Sequence, residues 1–516
     1  MLSAQQSFRL ADDALREKEF ILLNSASHTA VKPFPTDLFN GADRLDREKD
    51  STVLPYQSPR NAWAVLYSKD QSKREKAEQA KTAFVVKPVY QALAGIGGFE
   101  DNGIRILAGG ITTQFDYRKK ISAELNLAAG QAVLPAYLDS FARKHGVMPG
   151  WGDRAYARDS NTVAWQHLSG ELTWKPNKVF YLQAGRGKHF WGEGYRSMFL
   201  SDIGAAYPYL KQSTTIWKLQ YTSLFAWLQD WTASAGSAKD FRNKFATFHY
   251  ISWNATKWLN IGVFESVIWQ GSDKNRYRGF DPNYLNPMVF YRPVEYSLGS
   301  SDNALLGLSG KIRINRNNFL YGQLLLDEFY LKEIRARRGW WANKYAIQGG
   351  FKTFNLVEVK NLNMMFEVNV VRPFTYAHGS TQQNYSHAGM PLAHPAGSNF
   401  AEFISMLSWS TDQFYTHGKL MIVRAGRDTA GVNLGNNINL SYINRYQEYN
   451  NSMFQGMANT ILYTELKAGW QINKQLPLRF EITSAIRWEK SKAWSKKTAY
   501  VMGGISMPLW RSYFDF

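Results

Sequence analysis

The chain has 516 residues, no cysteine, 15% aromatic residues, 39 glycines and a formal net charge of +19, with a mean hydropathy of −0.38. No apolar run approaches the ~20 residues that a membrane-crossing helix needs, and the absence of cysteine excludes disulfide staples, thiolate metal sites and a cysteine nucleophile. A polar average does not exclude a membrane barrel, because lipid-facing and lumen-facing residues cancel in any window.

Residues 1–82 read differently from the rest. Met1–Leu10 lacks the basic start and apolar core of a secretory signal, and Ser3-Ala4-Gln5-Gln6 reads as the remnant of a small-residue cleavage site. Ala11–Leu23 and Gln71–Lys81 are charged, helix-favouring stretches, with Pro33, Pro35, Pro55 and Pro59 breaking the chain between them. The expectation is an N-terminal periplasmic-side segment over 1–82, a small helical subdomain or a plug, beneath a β-barrel formed by 83–516. A partly ordered leader is the alternative for this segment.

From residue 83 the chain alternates short turns with long connections. The turns are placed at Arg118-Lys119, Pro176-Asn177, Thr222-Ser223, Asn254-Ala255-Thr256, Asn315-Arg316-Asn317, Asn355 to Asn361, Thr416-His417-Gly418 and Asn473-Lys474. Between them lie long connections at 94–103, 132–162, 189–212, 232–243, 271–302, 334–340, 375–400, 428–458 and 491–497. Bacterial barrels have short periplasmic turns and long extracellular loops. Nine long loops joining upward to downward strands predict 18 strands, provided Thr214–Asp230 splits in two near Thr222-Ser223.

The strands carry the period of two that a half-apolar strand requires. Leu306, Leu308, Ile312 and Ile314 alternate with Gly307, Ser309, Lys311 and Arg313. Leu362, Met364, Phe366, Val368 and Val370 alternate with Asn363, Met365, Glu367, Asn369 and Val371. Leu478, Phe480, Ile482, Ser484, Ile486 and Trp488 oppose Arg479, Glu481, Thr483, Ala485, Arg487 and Glu489. The chain then ends Trp510, Ser512, Phe514, Phe516, which reads as an aromatic closing strand with a bulge near Pro508. The fold class expected is all-β transmembrane: an 18-stranded antiparallel outer-membrane β-barrel with a small N-terminal helical periplasmic-side segment. Eighteen strands enclose a lumen too wide for side chains alone to fill, so water, infolded loops or the first 82 residues must occupy it.

Residues 1–82 hold 13 Lys and Arg against 12 Asp and Glu, so about +18 of the charge lies in the barrel segment. The basic residues alternate along strands and crowd into loops, with no basic helix or finger, which argues against nucleic acid. A lumen or mouth facing an anionic polymer or lipopolysaccharide suits the pattern.

At 185–210 (GRGKHFWGEGYRSMFLSDIGAAYPYL) and 278–307 (RGFDPNYLNPMVFYRPVEYSLGSSDNALLG) the chain resembles the gliding-motility RemB-like proteins of Bacteroidetes, which are similar to the Wzi capsule-assembly family. The likeness continues through WKLQYTSLFA (217–226), LYGQLLLDEF (320–329), GWWANK (339–344) and PLAHPAGSNF (391–400), and covers most of 83–460. It implies an 18-stranded outer-membrane barrel with periplasmic-side helices. For function it implies a surface role: holding exported polysaccharide in the Wzi branch, adhesion and gliding in the RemB-like branch.

Two loops carry the candidate ligand-binding residues. Loop 189–212 is introduced by Arg186 and Lys188 and opens with His189, Trp191 and Arg196; loop 271–302 carries Arg278, Asp281, Tyr284, Arg292 and Glu295. Guanidinium grips carboxylate or phosphate with paired bonds, and rings offer flat faces to sugar CH groups, so the mixture suits an acidic sugar. Inward folding, with these charges paired across the lumen, is the competing reading. Loop 428–458 adds Asn433, Asn436, Asn437, Asn439, Asn444, Asn450 and Asn451 beside Tyr442, Tyr446 and Tyr449, which suit sugar hydroxyls or merely turns. His378, His387 and His394 match no familiar metal spacing and are expected to be solvated. His189, Ser197, Ser201 and Asp202 share one loop without nucleophile-elbow spacing, and Glu193 and Asp281 make a glycosidase pair only if their separation fits.

The expectation is a non-enzymatic outer-membrane protein that binds or anchors exported polysaccharide, or supports adhesion and gliding, with no cofactor and no metal. Its partners would be outer-membrane lipid, lipopolysaccharide and surface polysaccharide. The alternatives are a diffusion channel with anion preference and a subunit of a larger envelope complex.

Overall fold

The alternating segments form a closed antiparallel ring in the computed structural model. The structure describes residues 7–8, 19–20, 22–24, 27–35, 82–97, 103–118, 120–232, 234, 238–273, 276–277, 279, 281, 284, 302–328, 330–429, 431–472, 478–507 and 513–516. The first strands are β1 (Thr82–Gly97), β2 (Ile104–Tyr117), β3 (Ile121–Val133), β4 (Val163–Trp174), β5 (Phe180–Gly187) and β6 (Tyr207–Ile216). Then come β7 (Leu219–Asp230), β8 (Arg242–Asn254), β9 (Leu259–Gln270), β10 (Asn303–Arg313), β11 (Asn318–Leu326) and β12 (Tyr345–Thr353). The ring is completed by β13 (Leu362–Val371), β14 (Phe400–Ser410), β15 (Phe414–Arg427), β16 (Met457–Gln471), β17 (Arg479–Ser491) and β18 (Ser495–Ser506). Each of the 18 pairs with its sequence neighbour, and β18 closes on β1 from Tyr500↔Gly97 to Ser506↔Gln91. Closure leaves no edge for lipid to satisfy, which is why a barrel can span.

Burial is inverted relative to a water-soluble protein. On β17, Phe480, Ile482, Ile486 and Trp488 are 38–53% exposed, whereas Glu481, Thr483, Ala485 and Arg487 are 2–7% exposed. The apolar face therefore meets hydrocarbon and the polar face meets a filled interior. The same holds on β10 and β13, where Leu308 and Val368 face out while Lys311, Glu367 and Asn369 are buried. Beside the short turns, Trp174, Trp217, Trp253, Trp258, Trp409, Phe414, Trp470 and Phe480 are all exposed. They form the aromatic girdle expected at the periplasmic interface.

Several expectations need correction. The β6–β7 turn is Trp217-Lys218 rather than Thr222-Ser223, which instead lie within β7, Thr222 opposite Ser213. Neither Trp nor Lys is a turn signal; Trp217 accepts a φ of 55° and lies at the level of the girdle. The β14–β15 turn is 411–413 rather than 416–418: Thr411 Oγ1 accepts from the Gln413 and Phe414 amides, and Gly418 sits inside β15 opposite Leu407. Finally, the closing strand is β18, not an aromatic run ending at Phe516. Phe514 and Asp515 are buried, with the Phe514 carbonyl accepting from Tyr137 at 2.6 Å and the Phe516 ring 4.3 Å from Phe141. Trp510, Ser512 and the expected bulge at Pro508 lie outside the described residues, as does the expected helix Gln71–Lys81. The connection at 491–497 is also shorter than expected, only 492–494 separating β17 from β18.

Among the described residues, two α-helices stand in long loops. Helix α1 (Ala136–His145) follows Pro135, ends at left-handed Gly146 and buries Leu138 and Ala142. Helix α2 (Leu331–Ala336) lies between β11 and β12. Of the N-terminal residues, Phe20 and Leu23 pack with Phe319 and Phe354 beside short turns. Further along, Val31–Lys32 pairs with Phe190–Trp191.

Candidate functional site

Loop 188–206 does not project from the barrel; it crosses the lumen. Trp191 and Phe199 are fully buried. Trp191 meets Phe248, Tyr250 and Phe264 with centroids 5.9–6.0 Å away, and Phe199 stacks on Phe264 at 4.5 Å. Inward residues of three further strands grip the loop backbone. Gln323 on β11 accepts from the Met198 amide at 2.7 Å and donates to the Trp191 carbonyl at 3.0 Å. Gln348 on β12 donates to the Arg196 carbonyl at 2.9 Å. Glu367 on β13 accepts the amides of Tyr195 and Arg196 at 2.8 and 3.0 Å. Gly194 makes that last approach possible, since a Cβ there would stand 2.1 Å from Glu367 Oε2.

The loop's charges are paired inside the barrel, as buried charges must be. Glu193 meets Lys311 at 3.2 Å and accepts from Thr29 at 2.5 Å, while Lys32 donates to the Gly192 carbonyl. Burial works to raise the Glu193 carboxyl, but Lys311, Lys32, the Thr29 hydroxyl and Lys352 together hold it below its ordinary value. Arg196 donates to the Asp515 carbonyl at 2.6 Å and lies 3.4 Å from Glu402 and 3.5 Å from the Asp515 carboxylate. Asp515 also accepts from Tyr195 at 2.6 Å and Lys419 at 3.0 Å. Burial again pushes upward at Asp515, and Arg196 with Lys419 outweighs it, so the carboxyl lies below its usual range.

The other sequence-selected residues separate into groups. Arg186 donates to the Ala206 carbonyl at 2.6 Å and approaches Asp153 at 3.4 Å. Lys188 donates to the Gly150 carbonyl at 3.2 Å, and His189 meets the Tyr207 hydroxyl at 3.3 Å. Arg186, Lys188, His189, Trp191 and Arg196 are thus brought together as parts of the plug and its anchorage. Tyr284 is buried elsewhere, against Trp269 and donating to Asp302 at 2.8 Å, with the Asp281 carbonyl accepting its amide. Arg278, Arg292 and Glu295 lie outside the described residues. Ser197 donates to the Trp191 carbonyl and Asp202 accepts from Tyr513, so neither pairs with His189. The three loop histidines are buried rather than solvated: His394 pairs with Glu402 at 2.7 Å, His387 accepts from the Gln229 amide, and His378 packs on Tyr442.

Above the plug, loops 327–344 and 428–456 build an aromatic and basic platform. Trp340 and Trp341 both donate their indole N–H to Glu448, at 2.8 and 3.0 Å. Trp341 packs on Tyr442 at 4.6 Å and carries Arg445 over its ring at 4.4 Å; Arg338 lies 4.6 Å over Tyr449. Gly339, at φ 66°, lets the loops touch, because a Cβ would meet the Asn451 backbone at 2.8 Å. Asn433, Asn436 and Asn451 are buried and bond loop carbonyls, while Tyr446, Asn437, Asn444 and Asn450 remain exposed. The sequence reading had the tyrosines but passed over Trp340, Trp341, Arg338 and Glu448. The adjacent tryptophans after a run of arginines, in a connection without strand alternation, were the available signal.

A closed ring of this size, apolar outside and polar within, is an outer-membrane β-barrel, and the outer membrane is where the chain resides. No family model and no curated protein matches the sequence. Among solved structures the chain is similar to Wzi of Escherichia coli, an outer-membrane protein involved in group 1 capsule assembly and described as a carbohydrate-binding β-barrel. The TM-score is 0.58 at 13% identity, over 98% of this chain and 99% of that one. More remote are OccAB2 of Acinetobacter baumannii (TM-score 0.44, 9% identity, 82% and 96% covered) and OprD of Pseudomonas aeruginosa (0.42, 8%, 82% and 94%).

Proposed function

We propose that this protein is a non-enzymatic surface barrel that binds an exported acidic polysaccharide at its outer mouth and holds it to the cell. The observation that carries this reading is the platform of Trp340, Trp341, Tyr442, Tyr449, Arg338 and Arg445 standing over a lumen filled by loop 188–206. Rings with arginine beside them suit an acidic sugar, whose carboxylate would take over guanidinium donors that Glu333 holds on Arg338 and Glu448 holds on Arg445. The likeness to a carbohydrate-binding barrel supports the same reading. Capsule retention and surface adhesion with gliding are the two cellular forms this binding takes, and an envelope complex would be built around it. The anion-preferring channel fits the basic excess but not a lumen whose inward Lys244, Thr247, His249, Glu265, Glu367 and Asn369 are all 1% exposed or less.

The test is binding of a uronic-acid-containing capsular polysaccharide to the purified protein in detergent, by calorimetry. Trp340→Ala with Arg338→Gln is expected to weaken binding by about 1–3 kcal/mol while the melting temperature stays near wild type. Undiminished binding in the double variant sinks the platform reading. In planar bilayers the wild type is expected to stay silent, and a wide steady conductance would return the channel.

A further inference from the structure

The outward face of β17 reads as a depth profile. Phe480 lies at the periplasmic girdle, Ile482, Ser484 and Ile486 cross the hydrocarbon, Trp488 follows, and Lys490 stands beyond it. On β18 the partners of Trp488 and Ile486 are Lys497 and Ala499, so Lys497 shares that outward column with Trp488. The connecting tip, Lys492-Ala493-Trp494, is held by Ser491, whose hydroxyl accepts both the Ala493 and Trp494 amides at 3.2 Å. Trp488 donates its indole N–H to Ser495 at 2.8 Å. Lys497 lies 5.2 Å over the Trp488 ring and Lys496 5.5 Å over Trp494.

Four exposed lysines, Lys490, Lys492, Lys496 and Lys497, therefore stand at one short tip. Among the described residues no carboxylate pairs with any of them. The nearby Glu489 is turned inward and taken by Arg487 at 2.8 Å and Asn459 at 3.0 Å. Four like charges on one short tip, none paired, favour an anion among them. Their position narrows the anion: Lys490 and Lys497 share the outward column of Trp488, directly above lipid-facing Ile486, and Lys492 and Lys496 stand at the tip beside Trp494. A free anion uses only the charges, whereas a phosphorylated lipid uses the charges and the apolar surface below them.

We propose that the β17–β18 tip is a binding site for the phosphorylated lipid of the outer leaflet, its phosphates held by Lys490, Lys492, Lys496 and Lys497 and its acyl chains lying along Ile486 and Trp488. This site is separate from the polysaccharide platform and does not depend on it. The probe is bisphosphorylated lipid A added to the purified full chain in neutral detergent, with retention read by native mass spectrometry. K490Q/K492Q/K496Q/K497Q is expected to weaken retention by about tenfold or more, since lysines near an anionic surface each add to the attraction. Arginine at the same four positions should restore it, and K178Q/K218Q/K257Q, on the periplasmic turns, should leave it unchanged. Lipid A stripped of phosphate should bind wild type and the glutamine variant equally weakly. The proposal is overturned by equal retention in wild type and tip variant, by equal loss in the periplasmic control, or by displacement with inorganic phosphate at the same phosphate concentration. Heat-modifiable migration on a gel verifies that each variant remains a barrel.

Discussion

Arg196 ties three distant parts of the chain together: the infolded loop it belongs to, Glu402 on β14, and Asp515 near the C-terminal end. Removing one partner of a buried, hydrogen-bonded pair leaves the other charge stranded, which costs about 3–5 kcal/mol. Arg196→Ala is therefore expected to lower the melting temperature of the detergent-solubilised barrel and to make loop 188–206 susceptible to protease. Arg196→Lys, which keeps charge but loses the planar fork, should fall between. If Arg196→Ala melts like wild type, the pairing contributes nothing. Acid should also spare this centre. Glu193 and Asp515 both have carboxyls held below their ordinary values, so their stabilisation is complete above about pH 4. It is lost only as pH falls through the lowered folded value.

The long loops answer to pH differently. Burial lowers His378 to about 4 and His387 to about 3, with Lys344 and Arg186 respectively adding to the effect. A histidine kept neutral in the fold binds its proton more readily once released. Its contribution to stability is therefore whole above about pH 6.5 and drains away as pH falls toward the folded value. Loop 372–399 is expected to become protease-sensitive between pH 6.5 and 4 while the barrel itself stays heat-modifiable; limited proteolysis across that range checks it. This element also shows where sequence reading stopped. The histidines were expected in solvent because a long polar loop usually is. Their burial depends on contacts with Glu402, Gln229 and Tyr442, all remote in sequence except Glu402.

At the scale of the molecule, the strand number and faces were legible because they rest on local regularities: a period of two, and turns that alternate short with long. The misplaced turns had a local cause as well. Trp217-Lys218 lacks any turn signal, and Gly418 looked like one while sitting in a strand. What fills the lumen was not legible, since nothing near Trp191 or Arg196 announces partners on β8, β9, β11, β13 and β14. The same mixture of arginine and rings that suggested an outward sugar site in loop 188–206 is spent on internal pairing. The platform at the mouth is built on half-buried Trp340 and buried Trp341, which no periodicity marks. Replacing 190–200 by a short Gly-Ser linker is expected to convert a silent barrel into a conducting one in planar bilayers. A variant that stays silent would mean that other segments suffice to block it.

Loop 188–206 takes hold of the wall at many bearings around the ring, as spokes meet a rim. A hoop braced that way resists being squeezed out of round, and no single spoke can be slackened without loading the rest. Any opening would then come as one concerted event, in discrete long-lived steps rather than as flicker.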